Sequence, residues 1–283
     1  MTGSALSSPT EAVPGLRLLA VHGPAWVQDL GRTGHMGEGM PWGGALIPAA
    51  ALASNTALGN PPASALIEFV GRLRVQCDRA LAVDGEMLAP AAVYDIEPPR
   101  RRRAGYLAVA GGLAVPLFMG GRGTLPTVGI GGWEGRTLRR GDVLPLGEPV
   151  AEPSPCGARA RVRVPAVGGT VVLWPGPHGG DFTAASRTAL LRGPWRVDEP
   201  SDRTGIRLRG PRLVAPSATA RSQPMVRGAI QVPPQGPPVV LGPDHPVTGG
   251  YPVIAVVCSD DLGRVWGARA GEELTFVWAR TPG

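Results

Sequence analysis

Short runs of β-forming residues, each ended by glycine or proline, constrain the fold of this chain more than any other feature. The 283 residues include 42 glycines and 32 prolines, a density that leaves little room for long helices. The content of 43% hydrophobic and 18% charged residues argues against disorder. We therefore expect a mainly β protein built from barrels or sandwiches. The predicted strands run from Leu16 to Val21, Ala65 to Val70, Tyr106 to Val109, Val171 to Trp174, Val239 to Leu241, Val253 to Val257 and Leu274 to Trp278.

A few short helices interrupt this pattern. The first has Pro48 in its opening turn and an alanine-rich body, and Gly59 with the following Asn-Pro-Pro ends it. A second is expected from near Asp181 to Arg192, where Gly193 stops it. A short third helix is expected to begin after Ser259 as its N-cap.

The basic residues are all arginine, because the 28 basic positions include no lysine. The chain therefore cannot carry biotin, form a Schiff base or supply the lysine of a phosphate-binding P-loop. The net charge is +6, yet the only dense basic run is Arg100 to Arg103. That run has no interleaved aromatic residues, so we expect a solvated loop or an anion-facing edge and no nucleic-acid site.

The cysteines and histidines predict neither a disulfide framework nor a metal site. Cys77, Cys156 and Cys258 are far apart and form no C-x-x-C pair, which fits a reducing compartment. No apolar stretch is long enough to cross a bilayer, so the expectation is a soluble cytoplasmic protein. Metal-ligand spacing is absent among His22, His35, His178 and His245.

The length favours two domains, because the chain exceeds the usual size of one. A proline-broken segment from Glu148 to Gly157 is suited to a linker, which predicts domains at 14–150 and 158–281. A partial internal repeat indicates that each half closes with the same turn and strand. It matches Leu138 to Leu144 with Ala268 to Leu274, and Gly105 to Val109 with Gly250 to Ile254.

One polar segment stands out near the start of the chain. Gln28, Asp29 and Arg32 place an amide, a carboxylate and a guanidinium around a glycine, and Gly43-Gly44 then leads into the first helix. A guanidinium fork together with a helix N-terminus can hold an anion. The alternative, which residue chemistry alone favours, is a turn stapled by an Asp29–Arg32 pair.

This polar segment and a series of other short sequence blocks resemble the family of the 5-oxoprolinase C-subunit, KipA and allophanate hydrolase subunit 2. The opening matches are V-Q-D-L-G-R at 27–32, G-A-L at 44–46, L-G-N-P-P at 58–62 and I-E-F at 67–69. The later matches, in order, are Leu107 to Gly112, Gly131 to Arg136, Arg140 to Asp142, Ser201 to Gly205, Gln231 to Pro234 and Thr248 to Pro252. Their colinear order over nearly the whole chain makes the resemblance specific.

The resemblance implies two cyclophilin-like β-barrel domains, equivalent to subdomains A and B of a biotin-dependent carboxyltransferase. It also implies a KipI-like partner, the 5-oxoprolinase B-subunit, in a heterodimer or heterotetramer, and a third subunit of LamB/YcsF type. That complex would use ATP to open the lactam of 5-oxoproline to glutamate, with no cofactor bound by this chain alone. One alternative is transfer of a carboxyl group to urea from carboxybiotin carried by another protein. Another is a non-catalytic KipA-like regulator that binds a KipI-like kinase inhibitor.

The expected site combines polar residues displayed on loops between glycines or prolines. Arg32 would bind a carboxylate or a bicarbonate-derived group, Asp29 would orient Arg32 or accept a proton, and Gln231 with Thr248 would hold the amide. The loop from Thr248 to Tyr251 is expected to face the same cavity as Gln28 to Arg32. The expected catalytic residues are Asp29, Arg32 and Gln231, and the expected substrate-binding residues are Gln28, Gly44, Thr248, Gly249, Gly250 and Tyr251.

A few positions depart from the pattern of the resembled family. Ile47 occupies the place of an aspartate, Gly43 that of a serine, and Pro246-Val247 that of Gln-Thr. These changes remove hydrogen-bonding groups that a polar substrate would use. They predict either a different substrate or weakened chemistry.

Overall fold

The computed structural model describes residues 15–149, 162–216 and 221–280. Over these ranges the protein is mainly β with short helices, as the glycine and proline pattern predicted. None of the helices in these ranges is both long enough and apolar enough to cross a membrane. The predicted linker lies outside the described residues from position 150 onward, as does Cys156, so the domain boundary stays a prediction.

The first half contains two antiparallel sheets that cover one apolar core. The first sheet has the strand order β7-β4-β1-β9, and the second has the order β2-β3-β8-β5-β6. Both sheets contribute buried residues to the same cluster, for example Leu18 and Val75 from one and Ile67 and Leu107 from the other. The strands are β1 (Leu16–His22), β2 (Ala25–Gln28), β3 (Leu66–Phe69), β4 (Arg72–Gln76), β5 (Leu81–Val83), β6 (Glu86–Met87), β7 (Val93–Ile96), β8 (Gly105–Val109) and β9 (Val143–Leu144).

The second half closes into a barrel. Its strand order is β10-β17-β14-β15-β12-β11-β18, and a parallel pairing of β18 with β10 completes the ring. A separate two-stranded ladder joins β13 to β16. The strands are β10 (Gly169–Pro175), β11 (Trp195–Val197), β12 (Gly205–Arg209), β13 (Gln223–Pro224), β14 (Ala229–Gln231), β15 (Val239–Leu241), β16 (Thr248–Gly249), β17 (Val253–Val257) and β18 (Glu273–Trp278).

The helices begin and end close to their sequence signals, with one exception. Helix α1 (Pro48–Leu58) ends at Gly59, whose φ of 72° and N–H bonds to the last turn form the expected cap. Helix α2 (Ala184–Arg192) is capped by the Thr183 side chain and follows a separate 3₁₀ turn at Gly179–Asp181. The prediction of Ser259 as an N-cap is wrong. It lies inside a 3₁₀ turn and makes no side-chain cap bond, and helix α3 (Leu262–Trp266) starts later.

The internal repeat is present as a shared turn. The pair Gly141–Asp142 exchanges two backbone hydrogen bonds with β1, at 2.8 and 2.9 Å, and Gly271–Glu272 exchanges the equivalent two with β11, at 2.8 and 3.0 Å. The two glycines have φ values of 93° and 84°, which favour glycine. Each turn leads into a strand, β9 or β18. The second matched pair is not equivalent, because β8 begins at Gly105 whereas Gly250 precedes β17.

The two halves share a continuous apolar core at their junction. This core joins residues of the first half, among them Leu46 and Tyr106, to the inner face of the barrel. Ile47 is fully buried there, directly before α1. A Cβ atom on Gly267 would lie 2.6 Å from Ile47 Cδ1, and one on Gly263 would lie 3.2 Å from Ile47 Cγ2. The expectation that Ile47 alters a polar substrate site is therefore wrong, since its side chain packs against Gly263 of α3 and against Gly267, which follows this helix.

We predict that Ile47→Ala lowers the free energy of unfolding by about 2–5 kcal/mol, because it leaves a cavity between α1 and α3. Val214→Ala is the matched control, because Val214 is 53% exposed and should change stability by less than about 0.5 kcal/mol. Urea denaturation measures both. Equal stability of the two variants would contradict a stabilising role for the packing of Ile47 at the junction.

Candidate functional site

The buried guanidinium of Arg203 joins the two halves at the centre of the molecule. Its Nε and Nη2 atoms donate to the two carboxylate oxygens of Asp244, at 2.6 and 3.0 Å. Its Nη1 donates to Glu68 Oε1 on β3 at 2.6 Å, and Nη2 also donates to the carbonyl of Gly44 at 2.6 Å. Burial alone would lower the pKa of Arg203, but the charges of Glu68 and Asp244 raise it. Arg203 is thus a structural cation with four of its five N–H groups hydrogen-bonded.

Glu68 is fully buried, and both of its carboxylate oxygens accept hydrogen bonds. Its Oε2 atom accepts the hydroxyl of Tyr106 at 2.8 Å and the N–H of Leu46 at 2.8 Å. The Tyr106 hydroxyl in turn accepts the N–H of Ile47 at 2.7 Å. Burial, followed by the Glu68 charge, raises the pKa of Tyr106 well above its usual value. This network holds the backbone that enters α1 against β3 and β8.

The predicted residues Gln28, Asp29 and Arg32 lie together, but each binds backbone. Gln28 Nε2 donates to the carbonyl of Thr124 at 2.9 Å. Asp29 accepts the N–H groups of Gly31, at 2.8 Å, and Arg122, at 2.5 Å. Arg32 Nη2 donates to the carbonyl of a glycine, residue 123, at 2.6 Å, and burial lowers its pKa while Asp29 and Asp244 oppose that shift. These side chains fix the loop at 118–124 to the end of β2.

The alternative of an Asp29–Arg32 staple is wrong, since these two side chains form no ion pair among the described residues. Gly44 belongs to the same group, because a Cβ atom on it would lie 2.7 Å from the nitrogen of Gly31. On Gly43, a Cβ atom would lie 3.5 Å from Arg32 Nη1 and 3.7 Å from Asp244 Oδ1. Gly43 therefore lies beside both the Arg32 guanidinium and the Asp244 carboxylate.

The other predicted residues form a second group on the barrel. Gln231 on β14 is buried, its Nε2 lies 3.1 Å from Met225 Sδ, and a Cβ atom on Gly249 would lie 2.9 Å from that Nε2. Thr248 and Gly250 are exposed, and Tyr251 is 50% exposed. No hydrogen bond or ion pair joins this group to Gln28–Arg32 within the ranges described. A shared cavity for the two loops stays a prediction.

Sequence reasoning missed the pocket that lies between the two halves. It has a volume of about 480 Å³. The I-E-F and S-D-R-T-G blocks contained Glu68 and Arg203, but nothing local indicated that residues 135 positions apart form an ion pair. We call this feature the junction pocket, and it is lined by Trp26, Leu46, Val70, Arg103, Pro126, Thr127, Ser201, Asp202, Arg203, Thr204, Asp244, Arg269 and Ala270.

Comparison with known proteins identifies the family. Residues 88–278 match the model of the carboxyltransferase domain, subdomain A and B. The chain belongs to this family. It is 34% identical to the 5-oxoprolinase C-subunit of Escherichia coli, over 89% of this chain and 87% of that protein. It is 31% identical to the urea amidolyase of Lachancea kluyveri, over 61% of this chain and 11% of that one.

The fold is also shared with a solved enzyme. The crystal structure of the Kluyveromyces lactis urea carboxylase superposes with a TM-score of 0.82 at 25% identity, over 98% of this chain and 28% of that chain. The resemblance read from the sequence blocks is therefore confirmed, as is the mainly β, barrel-containing fold. The relatives are components of 5-oxoprolinase and urea-processing enzymes, and the name of the Escherichia coli protein describes one member of a larger complex.

We predict that Arg203→Met lowers the free energy of unfolding by about 3–5 kcal/mol, because it leaves two buried carboxylates without their cation. The control is Arg196→Met, which removes an ion pair to Glu273 whose side chains are 63% and 52% exposed. That loss should stay below about 1 kcal/mol. Denaturant unfolding followed by fluorescence measures both, and a small loss for Arg203→Met would contradict a central role for this cation.

Proposed function

We propose that this chain is the C-subunit of an ATP-dependent 5-oxoprolinase, which opens the lactam of 5-oxoproline to glutamate. The observation that carries this proposal is the match to the Escherichia coli 5-oxoprolinase C-subunit, which covers 89% of this chain and 87% of the relative. The matching yeast urea amidolyases align with only 61% of this chain. We therefore prefer 5-oxoproline to urea as the substrate of the proposed complex.

The chain acts in this proposal as half of an active site. A general acid or base needs a carboxylate or imidazole that is free to reach the substrate. In the junction pocket, Asp244 is held by Arg203, and Asp202 accepts the N–H groups of Thr204 and Gly205. Asp244 is therefore not free for proton transfer, and Asp202 uses one of its oxygens to close its own turn. We infer that a KipI-like partner, the 5-oxoprolinase B-subunit, supplies the missing group, in a heterodimer or heterotetramer that also engages a third subunit of LamB/YcsF type.

The predicted site residues take two kinds of role. Gln28, Asp29 and Arg32 are positioning residues, because their polar atoms hold the loop at 118–124. Gln231 and the loop from Thr248 to Tyr251 do not line the junction pocket, and their role as substrate contacts stays a prediction. A small planar amide is suited to such a loop, because glycines allow close approach to the backbone.

This chain lacks the lysine that would carry biotin covalently or serve in a phosphate-binding P-loop. The sequence has no lysine and no P-loop, and no group of three or more His, Cys, Asp or Glu side chains within the described ranges can hold a metal ion. We therefore place ATP use on another member of the complex. In the alternative carboxyl-transfer reaction, carboxybiotin would likewise belong to another protein.

We predict that the isolated chain does not convert 5-oxoproline, and that the chain co-purified with its KipI-like partner and the LamB/YcsF-type protein forms glutamate when ATP is present. Glutamate release measures the activity, and complexes that each lack one of the three proteins are the controls. Turnover by the isolated chain would contradict the half-enzyme proposal. Carboxylation of urea by the complex would favour the urea alternative, and a stable but inactive pair would favour the regulatory one.

A further inference from the structure

The junction pocket is lined by two arginines, Arg103 and Arg269, that form no ion pair among the described residues. Arg103 Nη1 donates to the carbonyl of Ser201 at 3.3 Å. Arg269 donates to the carbonyls of Arg102, at 3.0 Å, and Pro99, at 2.8 Å. Among the residues that the structure describes, neither guanidinium has a carboxylate within ion-pair distance, unlike Arg203. Most N–H groups of the Arg103 and Arg269 guanidinium groups are therefore available to a ligand.

The environment of Arg103 makes this positive charge effective. Burial lowers the pKa of Arg103, and only the Asp202 charge opposes that shift. Asp202 is exposed, and one of its oxygens accepts two N–H groups of its own turn. A partly desolvated guanidinium next to a solvated carboxylate still attracts an anion, because charge interactions strengthen as water is excluded.

Part of the remaining pocket wall is apolar, and the rest is formed by Thr127, Ser201, Asp202, Arg203, Thr204 and Asp244. Trp26 lies on β2 and Val70 directly follows β3, Leu46 comes from the segment before α1, and Pro126 follows the loop at 118–124. The volume of about 480 Å³ is within the range of small-molecule sites. Apolar walls beside two available guanidinium groups suit a ligand with one carboxylate and a flat, uncharged body.

We propose that the junction pocket binds a small monocarboxylate through Arg103 and Arg269, and that it selects the carboxylate of a lactam acid over a neutral amide. The choice of ligand rests on the proposed function, because 5-oxoproline has both a carboxylate and a planar lactam. Urea has no carboxylate, so it would leave the two cations unpaired. Sites that lose a charged partner in this way discriminate strongly.

Binding to the full chain tests this proposal directly, because every lining residue belongs to it. Isothermal titration calorimetry compares 5-oxoproline with 2-pyrrolidinone, the same lactam without the carboxylate. We expect 5-oxoproline to bind at least about tenfold more tightly, since hydrogen bonds between charged groups are the stronger ones. Arg103→Gln and Arg269→Gln should each weaken 5-oxoproline binding by a similar factor and leave 2-pyrrolidinone binding unchanged.

Arg101→Gln is the matched control, because Arg101 lies in the same run and does not line the pocket. It should bind both probes as the unmodified chain does. Arg269 is exposed, so its variant keeps the test valid if Arg103→Gln fails to fold. Equal affinity for the two probes, or unchanged 5-oxoproline binding in the folded variants, would overturn the proposal.

Activity of the assembled complex separates this proposal from the proposed function. Selective binding of 5-oxoproline without its turnover would support the carboxylate pocket and refute the 5-oxoprolinase role. Turnover with the same KM in both variants as in the unmodified complex would support that role and overturn the pocket. An increase in KM of at least about tenfold in both variants, with kcat little changed, would support both.

Discussion

The arrangement of this molecule depends on one buried cation. Arg203 comes from the second half, yet two of its acceptors, Glu68 and the carbonyl of Gly44, belong to the first. Removing an arginine and two carboxylates from water is unfavourable, and it is offset only when the geometry is close and the remaining polar atoms are satisfied. Here Asp244 is bound bidentately, and Tyr106 and Leu46 satisfy the second oxygen of Glu68. The ion network therefore requires both halves to be folded and in contact.

The local signals in the sequence were sufficient for most of the fold. The strand Val239–Leu241 and the strand Val253–Val257 match their predicted ranges, and α1 begins at Pro48 and ends before Gly59 as expected. Each of these depends on residues within a few positions of one another. The prediction from Ser259 was wrong because a good capping residue does not decide where a helix begins when a 3₁₀ turn precedes that helix. Asp261 ends that turn and also accepts the N–H of Val172, a distant tertiary contact.

The site was harder to predict, because polar residues look alike whether they bind a ligand or a backbone. Arg32 beside a glycine suggested an anion site, but its partner is a carbonyl 91 positions away. Ile47 suggested the loss of a substrate contact, but its side chain packs against Gly263 and Gly267, within and directly after α3. The basic run from Arg100 to Arg103 was expected to be a solvated loop or an anion-facing edge. Its last residue turns inward to line the junction pocket.

The same network that joins the halves also engages carboxylates at the junction pocket. Of the carboxylates near the pocket, Glu68 and Asp244 are bound to Arg203, so their oxygens are not free to reach a substrate. Side chains that are already held by ion pairs are well suited to hold a ligand in one orientation, since they need not rearrange on binding. Proton transfer needs the opposite property, an acid or base whose two protonation states are close in free energy at the working pH. Buried charges that join two halves are therefore suited to hold a ligand and not to exchange protons with it, and this is the physical basis of our proposal that a partner subunit supplies the acid or base.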